Sequence, residues 1–378
     1  MSRFAITMLA AVGLRLALCA QTASPDPKLL QRAEEIQKRI IAFDSHVDLP
    51  FDYAGASADG KAQIDLPKVE RGHLKGAALA VFVPQGPRTP EGYVKAREDA
   101  DKKYNLIKAF AEQNPDRAVL AYSPQDVRRA AAQGKFAVVI SMLNAYPLGE
   151  DLSEMAEWYN RGVRILGYVH AGHNQWADSS RPRQPLGDKA EEHGGLSEWG
   201  KEGIAFMNEA SILIDVSQLS SPAFKQVLSL TKAPVAATHS GVKGIVDNSR
   251  NLSDDELALL KKNGGVIQIV AFSNYLRPLP QGADPEKAPR ATVAQLVDSI
   301  DYAVKKIGID HVGIASDFNH GGGVIGWDNE GEGPNVTAEL LRRGYSEGQI
   351  AKLWGGNFLR VWGQAQSVGE KSQKRAKK

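Results

Sequence analysis

The chain has 378 residues, 43% of them hydrophobic and 24% charged. This is a globular balance that excludes disordered, collagenous and disulfide-scaffold classes. With 46 basic and 44 acidic residues the net charge is +2, and no basic domain marks a nucleic-acid-binding protein. Beyond the N-terminus no run approaches the roughly 18 apolar residues that a membrane span needs.

Arg3 followed by the apolar stretch 4–14 and by Ala20 reads as a signal peptide over residues 1–20, leaving 21–378 as the mature chain. Arg15 interrupts the apolar run and weakens the signal. Export to the periplasm is the expectation, with secretion or a lipid anchor at Cys19 as alternatives. Cys19 is the chain's one cysteine, so cleavage after Ala20 leaves no thiol, and removing Arg3 and Arg15 balances the charges. Near the other end Lys371, Lys374, Arg375, Lys377 and Lys378 form a basic tail expected to be solvated and frayed.

Between these ends, runs rich in Val, Ile and Ala predict strands over 40–46, 76–83, 136–143, 163–170, 212–218, 234–239, 265–272 and 311–317. Amphipathic stretches at 97–113, 151–161, 196–210, 221–231, 253–263 and 293–307 predict the intervening helices, and 338–343 and 346–364 two closing ones. Near-continuous apolar strands alternating with helices pair in parallel, because both sheet faces must be covered. Eight such units predict a (β/α)8 TIM barrel in one domain. No composition shift or linker divides the chain.

The polar residues then fall in a pattern. Asp44, His46 and Asp48 close the first predicted strand, His170 the fourth, Gln218 the fifth, His239 the sixth and Asp317 the eighth. These C-terminal strand ends form the reaction mouth of a barrel. In His46-Val47-Asp48 the imidazole and the carboxylate project to one face of a strand and can share a cation. Nitrogen and oxygen donors without thiolate suit zinc or a similar divalent ion in a hydrolase. The competing reading of Asp48 is a cap or turn residue before Pro50.

At this point the sequence resembles the membrane (renal) dipeptidase family of zinc hydrolases. The resemblance runs from about Ile41 to Trp362. It rests on Asp44-Ser-His-Val-Asp48-Leu-Pro, Asp65-Leu-Pro67, Trp176-Ala-Asp178, Gly194-Gly-Leu-Ser-Glu-Trp-Gly200, Thr238-His-Ser240, Ser249-Arg-Asn251, Gly313-Ile-Ala-Ser-Asp-Phe318 and Gly356-Asn-Phe-Leu-Arg360. It implies a (β/α)8 barrel that removes the C-terminal residue of a dipeptide at a two-zinc site. Carried over, His46, Asp48 and Asp317 match the first metal's ligands, with Asp317 also moving the proton. His239 matches a ligand of the second metal. His170 matches the histidine that contacts the scissile group, and Arg250 the arginine that holds the substrate carboxylate. A planar guanidinium suits that last task; without the resemblance Arg250 reads equally as a surface arginine.

Two metal positions depart from the family. Leu143 stands where its bridging glutamate would be, and Gln218 where the second metal's other histidine would be. A leucine cannot ligate, and an amide oxygen is a poor substitute for imidazole on zinc. Two divalent ions 3.5–4 Å apart need anionic ligands around them, so the sequence predicts one zinc per chain, with a second weak or absent. His173, His320, Glu150 and Asp151 are the candidates for compensating ligands.

The leading expectation is an exported metallohydrolase acting on dipeptides or a peptide-like small molecule. A second is a barrel that has lost hydrolysis and binds a peptide-like ligand or assists another exported enzyme. A deaminase or cyclic amidase fits less well, since those carry H-x-H where this chain has His46-Val47-Asp48. The sequence leaves the oligomeric state, homodimer included, open.

Overall fold

The computed structural model describes residues 26–376 apart from 280, 281, 283 and 285–287. The expected signal peptide and Cys19 lie outside the described residues. Nine strands occur among those described: β1 (Phe43–Asp48), β2 (Gly76–Phe82), β3 (Ala118–Leu120), β4 (Phe136–Leu143), β5 (Val163–Gly167), β6 (Leu213–Asp215), β7 (Ala236–Ser240), β8 (Val266–Val270) and β9 (Val312–Ala315). They pair in the order β1-β2-β4-β5-β6-β7-β8-β9, all parallel, with β3 beside β4.

The ring closes just past β9, where Val47 bridges to Phe318. There the Asp48 amide donates to the Phe318 carbonyl at 3.0 Å and the Asp317 amide to the His46 carbonyl at 3.2 Å. This is the expected (β/α)8 barrel. The ninth strand, β3, is too short to carry a sequence pattern. It covers β4 over Phe136–Val138, before β5 joins at Ile140.

Alternation sorts the side chains. Along β2 and β4, Leu79, Val81, Val138 and Ile140 belong to the large apolar layer under the helices. Ala78, Ala137 and Val139 point the other way, into a second cluster with Phe43, Leu213 and Val266. That cluster lies at the N-terminal ends of the strands and is completed by Phe358, Val361 and Trp362 of the helix Asn357–Ala376. Phe358 stacks on Phe43 with ring centres 5.3 Å apart. The last helix is therefore the barrel's floor.

This part differs from expectation. The segment read as one helix over 346–364 is a short helix Glu347–Ala351, a π-helical turn Lys352–Gly356 and the helix Asn357–Ala376. The helix expected at 338–343 starts earlier, at Gly333. Of the tail expected to fray, the part through Ala376 continues the last helix, and Lys377 and Lys378 lie outside the described residues.

At the mouth the strands stop sooner than their apolar runs suggest. β5 ends at Gly167, β6 at Asp215 and β9 at Ala315, so His170, Gln218 and Asp317 stand on the segments that follow. Gln218 (φ 69°) and Asp317 (φ 58°) occupy the left-handed region, which breaks the ladder and redirects the side chain. The turn after Asp317 needs Gly322, where an added Cβ would lie 2.1 Å from the Ser316 carbonyl oxygen. Among the described residues no helix is long and apolar enough to cross a membrane.

Candidate metal centre

Asp44 anchors the site. Its Oδ1 accepts from the backbone N–H groups of His46 (3.1 Å) and Ser316 (3.2 Å), tying β1 to the end of β9. Burial raises the Asp44 pKa, and Glu330, buried beside it, is pushed well above the carboxylate range by burial and by the charge of Asp44. Asp44 Oδ2 and Glu330 Oε1 have no other partner. A hydrogen bond between two carboxyl groups requires one of them to keep its proton, and Glu330 is the one that does.

With β1 so fixed, His46 and Asp48 project into the mouth and meet Asp317. His46 Nε2 lies 3.7 Å from Asp48 Oδ2 and 3.7 Å from Asp317 Oδ1. All three side chains are buried. His46 Nε2, both oxygens of Asp48 and Oδ1 of Asp317 have no hydrogen-bond partner. Orphaned buried polar atoms are rare and call for an explanation; His46 Nε2, close to an unpartnered oxygen of each carboxylate, fits a divalent cation. His46, Asp317 and His239 each bring one ligand atom within 4.8 Å of the others. The cap or turn reading of Asp48 does not hold, since its carboxylate caps nothing.

Electrostatics agree. Burial works against charge on His46, but the neighbouring carboxylates of Asp48 and Asp317 outweigh it and raise its pKa. Burial pushes Asp317 up to about 6, against the pull of His46. Protons thus take up the attraction that a metal ion would otherwise supply.

The other predicted residues gather around this cluster. His239 stacks on His46, ring centres 3.9 Å apart and planes 13° from parallel. Its Nδ1 meets Thr238 Oγ1 at 2.8 Å, and Thr238 donates to Asp215 Oδ2 at 2.6 Å. Its Nε2 lies 3.0 Å from the amide nitrogen of Gln218. Arg250, itself buried although its loop is not, donates to the His239 carbonyl (2.6 Å) and to Ser240 Oγ (3.2 Å), and its Nε is unpartnered. It is not the surface arginine of the alternative reading. His170 is held well below the usual histidine pKa, by burial and by Arg181.

Of the compensating candidates only His320 reaches the mouth. Its Nε2 lies 3.2 Å from His170 Nε2, and its Nδ1 lies 3.9 Å from Asp48 Oδ2. His173 is buried within the loop after His170, where its ring nitrogens meet the Ser179 amide (2.9 Å) and the Lys189 carbonyl (2.9 Å). Asp151 caps the helix Leu152–Asn160, and Glu150 beside it is exposed. These three are corrections: each is engaged elsewhere or faces solvent.

Leu143 packs with Ala80 and Phe82 as an apolar wall of the mouth, and Phe82 also touches His170 and His320, ring centres 4.6 and 4.5 Å away. One residue was missed. Arg181, in the loop after His170, donates to Gln218 Oε1 at 2.5 Å and meets His170 Nε2 at 3.3 Å. A guanidinium can only donate, so His170 Nε2 accepts. The signal available in the sequence was indirect: the loss of a histidine and a glutamate leaves room for a cation.

An imidazole and two carboxylates converging at the C-terminal end of a (β/α)8 barrel define a metal-dependent hydrolase of the barrel class. Residues 30–376 match the membrane dipeptidase family, peptidase family M19, and the chain belongs to it. It is 30% identical to the dipeptidase aclJ of Aspergillus oryzae over 81% of this chain and 71% of that protein. It is 31% identical to the dipeptidase tcpJ of Claviceps purpurea over 86% and 74%. Among solved structures it resembles the probable dipeptidase PvdM from Pseudomonas aeruginosa, with 44% identity and a TM-score of 0.87 over 90% of this chain and 99% of that one. Peptidases of this family are metal-dependent.

Proposed function

We propose that the chain is a hydrolase of dipeptides or a peptide-like small molecule, working with one zinc ion held by His46, Asp48 and Asp317. The observation that carries this reading is the unpartnered, buried His46 Nε2, 3.7 Å from an unpartnered oxygen of Asp48 and of Asp317. When bound, the ion supplies a water of lowered pKa and a polarised carbonyl. Asp317 is suited to take the proton of the attacking water and return it to the leaving amine, because its buried carboxylate has an oxygen without a partner beside His46. Arg250 offers its free Nε–H to a substrate carboxylate. His170 borders the scissile group as a neutral imidazole, and the donor its pair with Arg181 presents is the guanidinium. The apolar wall of Leu143 and Phe82, in contact with His170 and His320, keeps water from that part of the mouth.

Family membership and the names of the relatives support peptide-like substrates. Export to the periplasm, by cleavage after Ala20, belongs to the same proposal and rests on residues 1–20 alone. A second reading, a barrel that binds a peptide-like ligand without cleaving it, draws on Leu143, which brings no ligand to the metal.

The test is zinc stoichiometry of the purified chain by elemental analysis, paired with mass-spectrometric detection of amino acids released from L,L- and L,D-dipeptides. One zinc and cleavage that Asp317→Asn abolishes is the expected result. One zinc with binding but no cleavage favours the second reading. No zinc overturns the metal proposal.

A further inference from the structure

Beside His46 and Asp317, from Thr238 through His239 and Gln218 to Arg181, runs a chain of hydrogen bonds whose direction is fixed at both ends. At one end Thr238 has a single hydroxyl hydrogen, which goes to Asp215 Oδ2. The contact between Thr238 Oγ1 and His239 Nδ1 at 2.8 Å must then be donated by Nδ1. His239 is thereby the tautomer with its free lone pair on Nε2. At the other end the Arg181 guanidinium can only donate, and it faces the Gln218 amide at 2.5 Å, so the atom it meets is the carbonyl oxygen. The Gln218 NH2 group is then turned toward His239 Nε2, 3.0 Å away. The lone pair that a metal would need on His239 already accepts a hydrogen.

We infer that Arg181 is a positioning residue that, through Gln218, keeps His239 from ligating and holds this centre to a single divalent ion. The inference rests on the one-zinc reading above and supplies its cause. Three features converge on it. Arg181 orients the amide that covers the His239 lone pair. Its fixed positive charge, in contact with Gln218 and His170, repels a second cation at the same place. Leu143, packed with Ala80 and Phe82, offers no anion to offset that repulsion. Gln218 alone would not suffice, because an amide free to rotate could turn its oxygen toward a metal; the guanidinium prevents the rotation.

The test restores an imidazole at position 218 with and without the guanidinium. Wild type, Gln218→His, Arg181→Met/Gln218→His and Arg181→Lys/Gln218→His are equilibrated with zinc, freed of loose ions and assayed by elemental analysis. Cobalt(II) titration followed by visible absorption gives an independent count. One ion is expected in wild type, in Gln218→His and in the lysine variant, which keeps the charge. A second ion, bound at least tenfold more tightly than by Gln218→His, is expected in Arg181→Met/Gln218→His. Thermal melts check folding, and Arg181→Gln/Gln218→His, neutral and similar in length, serves if the methionine variant does not fold. A second ion in Gln218→His with Arg181 intact would overturn the inference, and so would a single ion once the guanidinium is gone. A wild type that does not hold one ion would instead sink the one-zinc reading itself.

Discussion

The two sides of the barrel mouth are built from similar residue types and behave in opposite ways. On the side of β1 and β9, His46, Asp48 and Asp317 leave four buried atoms without partners. On the side of β6 and β7, His239 and Gln218 have their polar atoms satisfied by Thr238, by each other and by Arg181. Desolvation without hydrogen bonds is costly, so the first side is unfavourable unless a cation binds, whereas the second is complete without one. A histidine beside a carboxylate is therefore no guide to ligation. The guide is whether its lone pair is already in use.

The comparison can be broken most severely on the unpartnered side. His46→Ala should abolish tight zinc binding, read by equilibrium dialysis. Asp317→Asn should lower hydrolysis by on the order of 10²–10⁴-fold, the usual worth of general acid–base catalysis; unchanged turnover would remove Asp317 from the chemistry.

Leu143→Glu carries an anion to the apolar wall of the mouth. With no metal present the new carboxylate is buried against Ala80 and Phe82, and a loss of about 3 kcal/mol is expected in denaturant melts. Saturating zinc should recover part of that loss. A variant as stable as wild type without metal would show that the wall is more hydrated than its packing indicates.

The pH dependence sharpens the contrast further. Ligation requires Asp317 ionised and His46 neutral, and both have raised pKa values in the metal-free site, Asp317 at about 6. Zinc must displace these protons, so affinity should rise with pH through 6 and fall as pH drops below it, by about tenfold per pH unit for each proton displaced. Isothermal titration in buffers of different ionisation enthalpy would count the protons released. His239, whose pKa burial and His46 hold well below normal, should contribute none.

The smallest effect lies behind the site, at Glu330. Its folded pKa is raised, so the stability it contributes is full below the ordinary glutamate range and is lost as pH rises through the folded value. Glu330→Gln keeps a donor for Asp44 without a titrating proton. Its melting temperature should match wild type below the ordinary glutamate range and exceed it by a margin that grows as pH rises above that range. Equal melting curves below and above it would mean that the pair holds no shared proton.

Most of the unpartnered side was legible in the sequence. His46 and Asp48 sit two apart on a strand, where alternation sends both the same way, and Asp317 follows an apolar run whose end is the mouth of a barrel. The satisfied side was legible only as departures at Leu143 and Gln218. Arg181 escaped because it comes from an irregular loop, where no periodicity says which way a side chain points. The positive φ of Gln218 and Asp317 likewise left no trace, since neither residue type demands it. β3 is shorter than any recognisable pattern, and the capping role of Asp151 was indistinguishable from a free carboxylate before its helix was seen.

The floor of the barrel has a consequence for how the molecule comes into being. Phe43 opens the first strand, yet the ring that packs against it, Phe358, belongs to the last helix. A chain emerging from the ribosome can pair its strands in succession, but its interior stays open to water from below until that helix arrives. Contacts between such distant parts of a sequence form late and slowly. Ribosome-bound chains lacking the helix should be readily cleaved by protease, and stalling synthesis just before Asn357 would hold the polypeptide in a form still able to pass through a narrow pore.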